Sequence, residues 1–294
     1  MVPISKTRLA TDCLFGRFGI RVLVRGFDDF ERKMRLSKAV LPQHVAIIMD
    51  GNRRWAAEHK LAAVAGHKKV VEEVVERLID HVGHLGIPYL TLWAWNVNNW
   101  QRPKVEIAAI MQLFRWALKN RAERFIVKGA RLRVIGDTSK FPKDIQQGLR
   151  EMMEKSAGNT KITVTYGLNY GGHDEIVRAV NKILESRITN HESREEDKLQ
   201  ATSYKKVTSE EFSLFLDTSG TPDPDVIIRT GGDQRLSGFL PWQSEHSELY
   251  FTDTLMPDFD EGEFDKALVD YQKRQRRYGG GAFLDYQVKK RRKT

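Results

Sequence analysis

The chain holds a single cysteine, Cys13, among 294 residues. One thiol excludes an internal disulfide and any zinc site built from several cysteines, and it fits a reducing cytoplasm. No run of eighteen consecutive apolar residues occurs, so no membrane-spanning helix is expected. The first residues, interrupted by Arg17, Arg21 and Arg25, contain no secretory core of sufficient length. The phosphate-binding pattern Gly-x-x-x-x-Gly-Lys-Ser/Thr is missing, as are internal repeats and low-complexity tracts. What is present is the balance of a soluble globular chain, 40% hydrophobic and 30% charged. Its length allows one α/β domain with extensions, or two small domains.

The net charge of +9 is unevenly placed. Residues 1–40 carry +5 and residues 273–294 carry +8, which leaves −4 for the body. A nucleic-acid-binding domain usually carries its basic face on the folded body, so nucleic acid is not the expected partner. The run Lys289–Lys293 reads as a solvated end or as an attraction to anionic lipid headgroups. In the arm, Leu23, Phe27, Phe30 and Met34 recur at helical spacing beside Arg21, Arg25, Arg32 and Arg35. Such a helix packs on the domain or lies on a membrane surface or partner. The corresponding expectation is a cytoplasmic protein with peripheral membrane contact through its basic termini.

From residue 44 onward, short apolar runs alternate with longer amphipathic stretches. The runs predict strands at 44–49, 89–95, 132–135, 162–166, 226–228 and 249–251. Between them, Val70, Val74, Val75 and Leu78, and then Ile107, Ile110, Met111 and Phe114, follow a helical period. This alternation predicts a mostly parallel sheet covered by helices on both faces. The polar stretch 186–206 reads as a surface insertion, and Thr208-Ser-Glu-Glu211 as a capping box opening another helix. The organisation expected is an arm at 1–40, one domain at 41–280 and a tail at 281–294.

Ligands of open α/β sheets bind beyond the carboxyl ends of the strands, so the loops there carry the chemistry. The first reads Asp50-Gly51-Asn52-Arg53-Arg54-Trp55. Glycine permits close backbone approach, and arginine forks match phosphate oxygens. An aspartate in that company suits Mg²⁺ held against phosphate, because Mg²⁺ takes one or two carboxylates plus phosphate oxygens. A helix cap with surface arginines is the plainer alternative. Arg229-Thr230-Gly231-Gly232-Asp233-Gln234-Arg235-Leu236-Ser237 repeats the theme, and residues 96–103 add amides and Arg102. Several arginines converging on one sheet edge point to a polyanion such as a diphosphate. Trp93, Trp95, Trp100, Phe114 and Trp116 lie next to these loops, as core or as the apolar side of a ligand site.

The stretch His44-Val-Ala-Ile-Ile-Met-Asp50-Gly-Asn-Arg-Arg-Trp55-Ala resembles the first signature of the cis-prenyltransferases, the undecaprenyl diphosphate synthase family. Gly66-His67, Asn99-Trp100-x-Arg102-Pro103, Ile135-Gly136-Asp137 and Asn169-Tyr-Gly-Gly172 follow in the family's order. Arg229-Thr-Gly-Gly232, Arg235-Leu-Ser237, Glu248-Leu-Tyr-Phe251 and Arg277-Tyr278-Gly279 complete the set over residues 41–280. The resemblance implies a six-stranded, mostly parallel sheet flanked by helices with an apolar tunnel, usually in a homodimer. It also implies condensation of isopentenyl diphosphate with an allylic diphosphate, with a new cis double bond and release of pyrophosphate. On this resemblance Asp50 binds Mg²⁺ and, with Asn99, is catalytic. Gly51, Asn52, Arg53, Arg54, Trp55 and His67 surround the allylic diphosphate. Arg229, Arg235 and Ser237 hold isopentenyl diphosphate, and Glu248 helps complete the metal site. Asn99, Trp100 and Arg102 belong to a loop that orders over the substrates, while Arg277 and Gly279 reach the diphosphates across the dimer.

The sequence departs from that pattern at Ala63 (family arginine), at Asn96 and Asn98 (Ser or Thr, and Glu), at His173 (often arginine) and at Gly238 (often asparagine). Loss of the carboxylate at Asn98 points to altered substrate choice, with a short-chain or irregular-coupling synthase as the alternative. A non-catalytic partner subunit is the reading from another class, and the presence of both the Asp50 loop and Arg277-Tyr278-Gly279 argues against it.

Overall fold

In the computed structural model, residues 41–192 and 206–274 are described. The expectations for the arm, the tail, Arg277, Gly279 and most of the polar insertion lie outside the described residues. Six strands form one sheet: β1 (His44–Ile48), β2 (Tyr89–Asn96), β3 (Ala130–Ile135), β4 (Ile162–Tyr170), β5 (Val226–Arg229) and β6 (Glu248–Phe251). Their order is β3-β4-β2-β1-β5-β6, and every neighbouring pair is parallel. All six coincide with the apolar runs of the sequence. β4 continues to Tyr170 because Leu168 and Tyr170 find partners on β2, across register shifts at Trp95 and Asn96.

The helices between the strands are α1 (Asn52–Glu58), α2 (Val64–Lys69), α3 (Val75–Leu85), α4 (Lys104–Asn120), α5 (Ala122–Val127), α6 (Lys143–Ser156), α7 (Gly172–Glu192), α8 (Ser209–Ser213) and α9 (Glu261–Lys273). A π-helical turn, Val70–Val74, joins α2 to α3. α3 buries Val75, Leu78, Ile79 and Val82, and α6 buries Ile145, Leu149 and Met152. Each such side chain contributes roughly 1.5–3 kcal/mol by leaving water. β1 is buried along its whole length because helices cover both faces of the sheet. The Thr208 cap forms as expected, its side chain accepting from the Glu211 amide.

The order of strands places the site. From β1 the chain moves to β2 on one side, then returns to β5 on the other. The carboxyl ends of β1 and β5 therefore flank the point where the sheet changes direction. Loops diverge at such a point and leave a crevice. Ile48 and Arg229 are register partners across it.

Candidate functional site

Asp50 stands two residues beyond β1, in a turn that several elements hold. Gly51 adopts φ 101°, a conformation other residues resist, and a Cβ there would press on Leu255. The Thr230 hydroxyl accepts from the Asp50 amide at 2.9 Å and donates to the Asp50 carbonyl at 2.7 Å. The Met256 amide donates to that same carbonyl at 3.0 Å. Below, the Trp55 indole donates to Asp258 at 3.0 Å, and Lys69 reaches the same oxygen at 2.8 Å. The backbone of the loop is therefore fixed from β5 and from the segment after β6.

The Asp50 carboxylate receives the Gly51 amide at 2.6 Å and the Arg229 guanidinium at 2.8 Å, with Arg54 at 3.4 Å. Burial alone raises its pKa. The hydrogen bonds from Arg229 and Gly51, with the charges of Arg229 and Arg54, outweigh burial and hold it below the usual carboxylate value. It is an anion at neutral pH. Arg229, with a side chain only 5% exposed, also donates to Ser237 at 2.8 Å and to Asp233 at 3.0 Å. Arg235 joins through Asp233 at 2.7 Å and is itself largely exposed.

His67 comes from α2, which packs against α1 so closely that a Cβ on Gly66 would run into the Asn52 carbonyl. Arg102 donates to its Nε2 at 3.2 Å. Burial, followed by the charges of Arg102 and Arg53, lowers the His67 pKa to about 4, so the ring is a neutral acceptor. The loop after β2 is a short 3-10 turn. Asn96 accepts from the Asn98 amide at 2.7 Å, and its own amide donates to the Asn99 side chain at 2.9 Å. The Trp100 indole donates to Asn169 at 2.8 Å, which anchors the turn to the end of β4.

Behind the carboxylate lies a cavity of about 430 Å³. Asp50, Asn52, Arg53, Arg54, His67, Asn99, Arg102, Arg229 and Ser237 line its polar mouth, together with Gly51. Its body is apolar, formed by Ile110, Leu113, Phe114 and Leu118 of α4, Phe125 of α5, Leu149 and Met152 of α6, and Leu132, Tyr166 and Leu168 of the sheet. Arg121, at the break between α4 and α5, also borders it and pairs with Glu76 at 3.2 Å. An anionic head at the mouth and a hydrocarbon body inside are the ligand this shape accepts.

The expected site residues divide into three groups. Ten of them, Asp50, Gly51, Asn52, Arg53, Arg54, His67, Asn99, Arg102, Arg229 and Ser237, border one cavity. Trp55 and Trp100 do not border it: Trp55 packs on His59 at 4.1 Å under the loop, and Trp100 packs edge-on to Trp95 and Phe141. Arg235 reaches the mouth only through Asp233. Within one chain the structure does not bring Glu248 to Asp50. Glu248 opens β6 opposite Val226, three residues before the Arg229–Phe251 level, and bonds Arg274 at 2.8 Å. Parallel strands put that position at the amino edge of the sheet, away from Asp50. Three contributors escaped sequence reasoning: Thr230, Asp233 and the 255–258 segment. The first two lie inside a motif already read, but their roles depend on a turn that sequence does not specify.

Among the described residues, no three His, Cys, Asp or Glu side chains gather as a metal site. The donor set still fits Mg²⁺ as a shared ion. One anionic carboxylate faces the cavity, the buried Asn52 Oδ1 lacks a partner, and remaining ligands of Mg²⁺ are ordinarily phosphate oxygens and water.

Comparison with known proteins gives a consistent result. The family described as putative undecaprenyl diphosphate synthase matches residues 48–279. The isoprenyl transferase of Aquifex aeolicus is 41% identical over 239 residues, 81% of this chain and 96% of the relative. The isoprenyl transferase of Neisseria gonorrhoeae is 37% identical over 83% of this chain and 92% of its own. Among solved structures, lavandulyl diphosphate synthase from Lavandula x intermedia, in complex with dimethylallyl diphosphate, has a TM-score of 0.73 at 32% identity. It covers 82% of this chain and 99% of that one.

Proposed function

This chain belongs to the undecaprenyl diphosphate synthase family of isoprenyl transferases, and from that premise we propose that it condenses isopentenyl diphosphate with an allylic diphosphate in a Mg²⁺-dependent reaction. The single observation that carries the reading is the Asp50–Arg229 pair, 2.8 Å apart, at the mouth of an apolar cavity. The allylic C1–O bond breaks, and its electrons leave on pyrophosphate. The double bond of isopentenyl diphosphate supplies the pair for the new C–C bond, and loss of a proton from its C2 restores a double bond.

Arg53, Arg54 and His67 hold the allylic diphosphate, while Arg229 and Ser237 hold that of isopentenyl diphosphate, with Arg235 closing from the rim. Asn99 is presented over them by the Asn96 cap. Asp50 and the Asn52 side-chain oxygen Oδ1 would hold Mg²⁺, which would supply charge neutralisation for the departing pyrophosphate. Glu248 keeps its ion pair with Arg274, and we assign it no ligand role within one chain. The hydrocarbon enters the cavity at about 0.8 kcal/mol per buried CH₂. An apolar cavity of about 150 Å³ holds one benzene, so the present one holds on the order of eighteen carbons without rearrangement.

The catalytic body spans 41–280, with basic extensions that contact anionic membrane surfaces. The protein works as a homodimer. Val177, Val180 and Leu184 are exposed at helical spacing on α7 and suit a self-complementary contact. A short-chain or irregular-coupling synthase is favoured by one specific observation: the uncharged Asn98 at the cavity mouth.

The experiment is incorporation of radiolabelled isopentenyl diphosphate with dimethylallyl, geranyl, farnesyl and geranylgeranyl diphosphates, with and without a chelator. Incorporation that the chelator abolishes supports the reading. No incorporation with any primer at adequate Mg²⁺ contradicts it.

A further inference from the structure

Tyr166 is a polar group in a wall of hydrocarbon. It sits on β4 in register with Leu92 of β2 and Val134 of β3. Residues two apart on a strand share a face, so its side chain stands with that of Leu168 on the floor of the cavity. Deep burial pushes the phenol above its ordinary pKa, which keeps the hydroxyl protonated. The side chain stays partly exposed and lines the cavity. Among the described residues the hydroxyl finds no hydrogen-bond partner. Tyr170, four residues on, shows the ordinary outcome: its hydroxyl donates to Glu175 at 2.6 Å.

An apolar cavity for hydrocarbon has no need of an unpaired hydroxyl, and the position of this one suggests its use. Tyr166 lies one residue before the level shared by Ile48, Trp93 and Gly167, whereas Asp50 lies two residues beyond that level. Three residues of rise and two strand spacings set the two Cα atoms on the order of 14 Å apart. Prenyl transfer keeps the diphosphate at the mouth and drives the far end of the chain inward with each five-carbon addition. Short chains stop before Tyr166, and longer ones lie against it.

We propose that the Tyr166 hydroxyl is a length checkpoint, at which the growing chain must strip water from a group it cannot re-pair. This deepens the prenyl-transfer reading and rests on it. An isoprenoid chain carries no oxygen or nitrogen along its length, so displacing the solvent of that hydroxyl leaves the donor unsatisfied. The condensation that presses the chain past it is slowed, relative to product release, by about five-fold or more. Product length is then set by a desolvation step as well as by the space available.

Tyr166→Phe keeps the ring and removes only the hydroxyl. The expected result is a product ladder displaced to longer chains by one or more five-carbon units. An unchanged or shortened ladder overturns the proposal. A binding measurement stands beside it: quenching of tryptophan fluorescence by prenyl diphosphates of increasing length. In the wild type the gain in affinity per unit falls off at the length that reaches Tyr166, and in Tyr166→Phe it continues. Identical length dependence in both proteins overturns the checkpoint even where turnover is absent. Absence of turnover in the wild type, by contrast, contradicts the prenyl-transfer reading itself.

Discussion

At the scale of single residues, two buried histidines contribute to the acid response. Burial lowers His44 to about 4, against smaller opposing effects of the Pro222 carbonyl and Asp225. Burial and two arginine charges bring His67 to about 4. Both are near 6.5 in an unfolded chain, which therefore binds more protons between pH 4 and pH 6.5. Stability from these groups is fully present above that window and is lost as pH falls through it. Unfolding near pH 5 should take up about two protons on their account, a slope of about 2.7 kcal/mol per pH unit. Urea titrations from pH 7 to pH 4 measure it, and His67→Asn should remove about half the slope. The residues at the mouth were legible in sequence because arginine, aspartate and glycine at strand ends announce phosphate chemistry. Trp55 and Trp100 stand off the cavity wall for a physical reason. A tryptophan beside a motif serves packing as readily as binding, and only the partners Asp258 and Asn169 show that these two pack.

Secondary elements turn those residues into a site, and two of their contacts are testable. A Cβ at Gly66 meets the Asn52 carbonyl, so Gly66→Ala must push α1 away from α2. Overpacking of this kind costs about 1–3 kcal/mol, and about 2–4 °C of melting temperature per kcal/mol for a domain of this size. Activity should fall further than stability, because α1 carries Asn52, Arg53 and Arg54. Asn96→Ala removes the cap of the 97–101 turn at a cost of about 0.5–2 kcal/mol. Its steady-state kinetics should show a raised KM and a lowered kcat as Asn99 loses its fixed place, with a melting temperature lower by about 1–8 °C. The strands were legible because each is a short apolar run between turn residues. Strand order was not, because Glu248 reads the same at either edge of a sheet. Only the register with Val226 shows that it lies away from Asp50.

For the whole molecule, the division of charge leads to a prediction about location. Residues 1–40 carry +5 on an apolar helical pattern. Their removal should weaken binding to vesicles containing anionic lipid more than it reduces turnover of soluble substrates, and co-sedimentation with such vesicles measures this. Equal binding by the truncated protein counts against a membrane role for the arm. The proposed homodimer makes a second demand: Val180→Asp on α7 should shift the molar mass seen by light scattering toward the monomer.

The central claim is that Asp50, steadied by Arg229, is the group that makes pyrophosphate leave. Its most direct test is the rate of pyrophosphate release from an allylic diphosphate plus isopentenyl diphosphate at saturating Mg²⁺, compared between wild type and Asp50→Asn. One pyrophosphate per isopentenyl unit incorporated in the wild type, and a rate at least about 100-fold lower in the variant, is the predicted result. Release at the wild-type rate by Asp50→Asn would contradict the account.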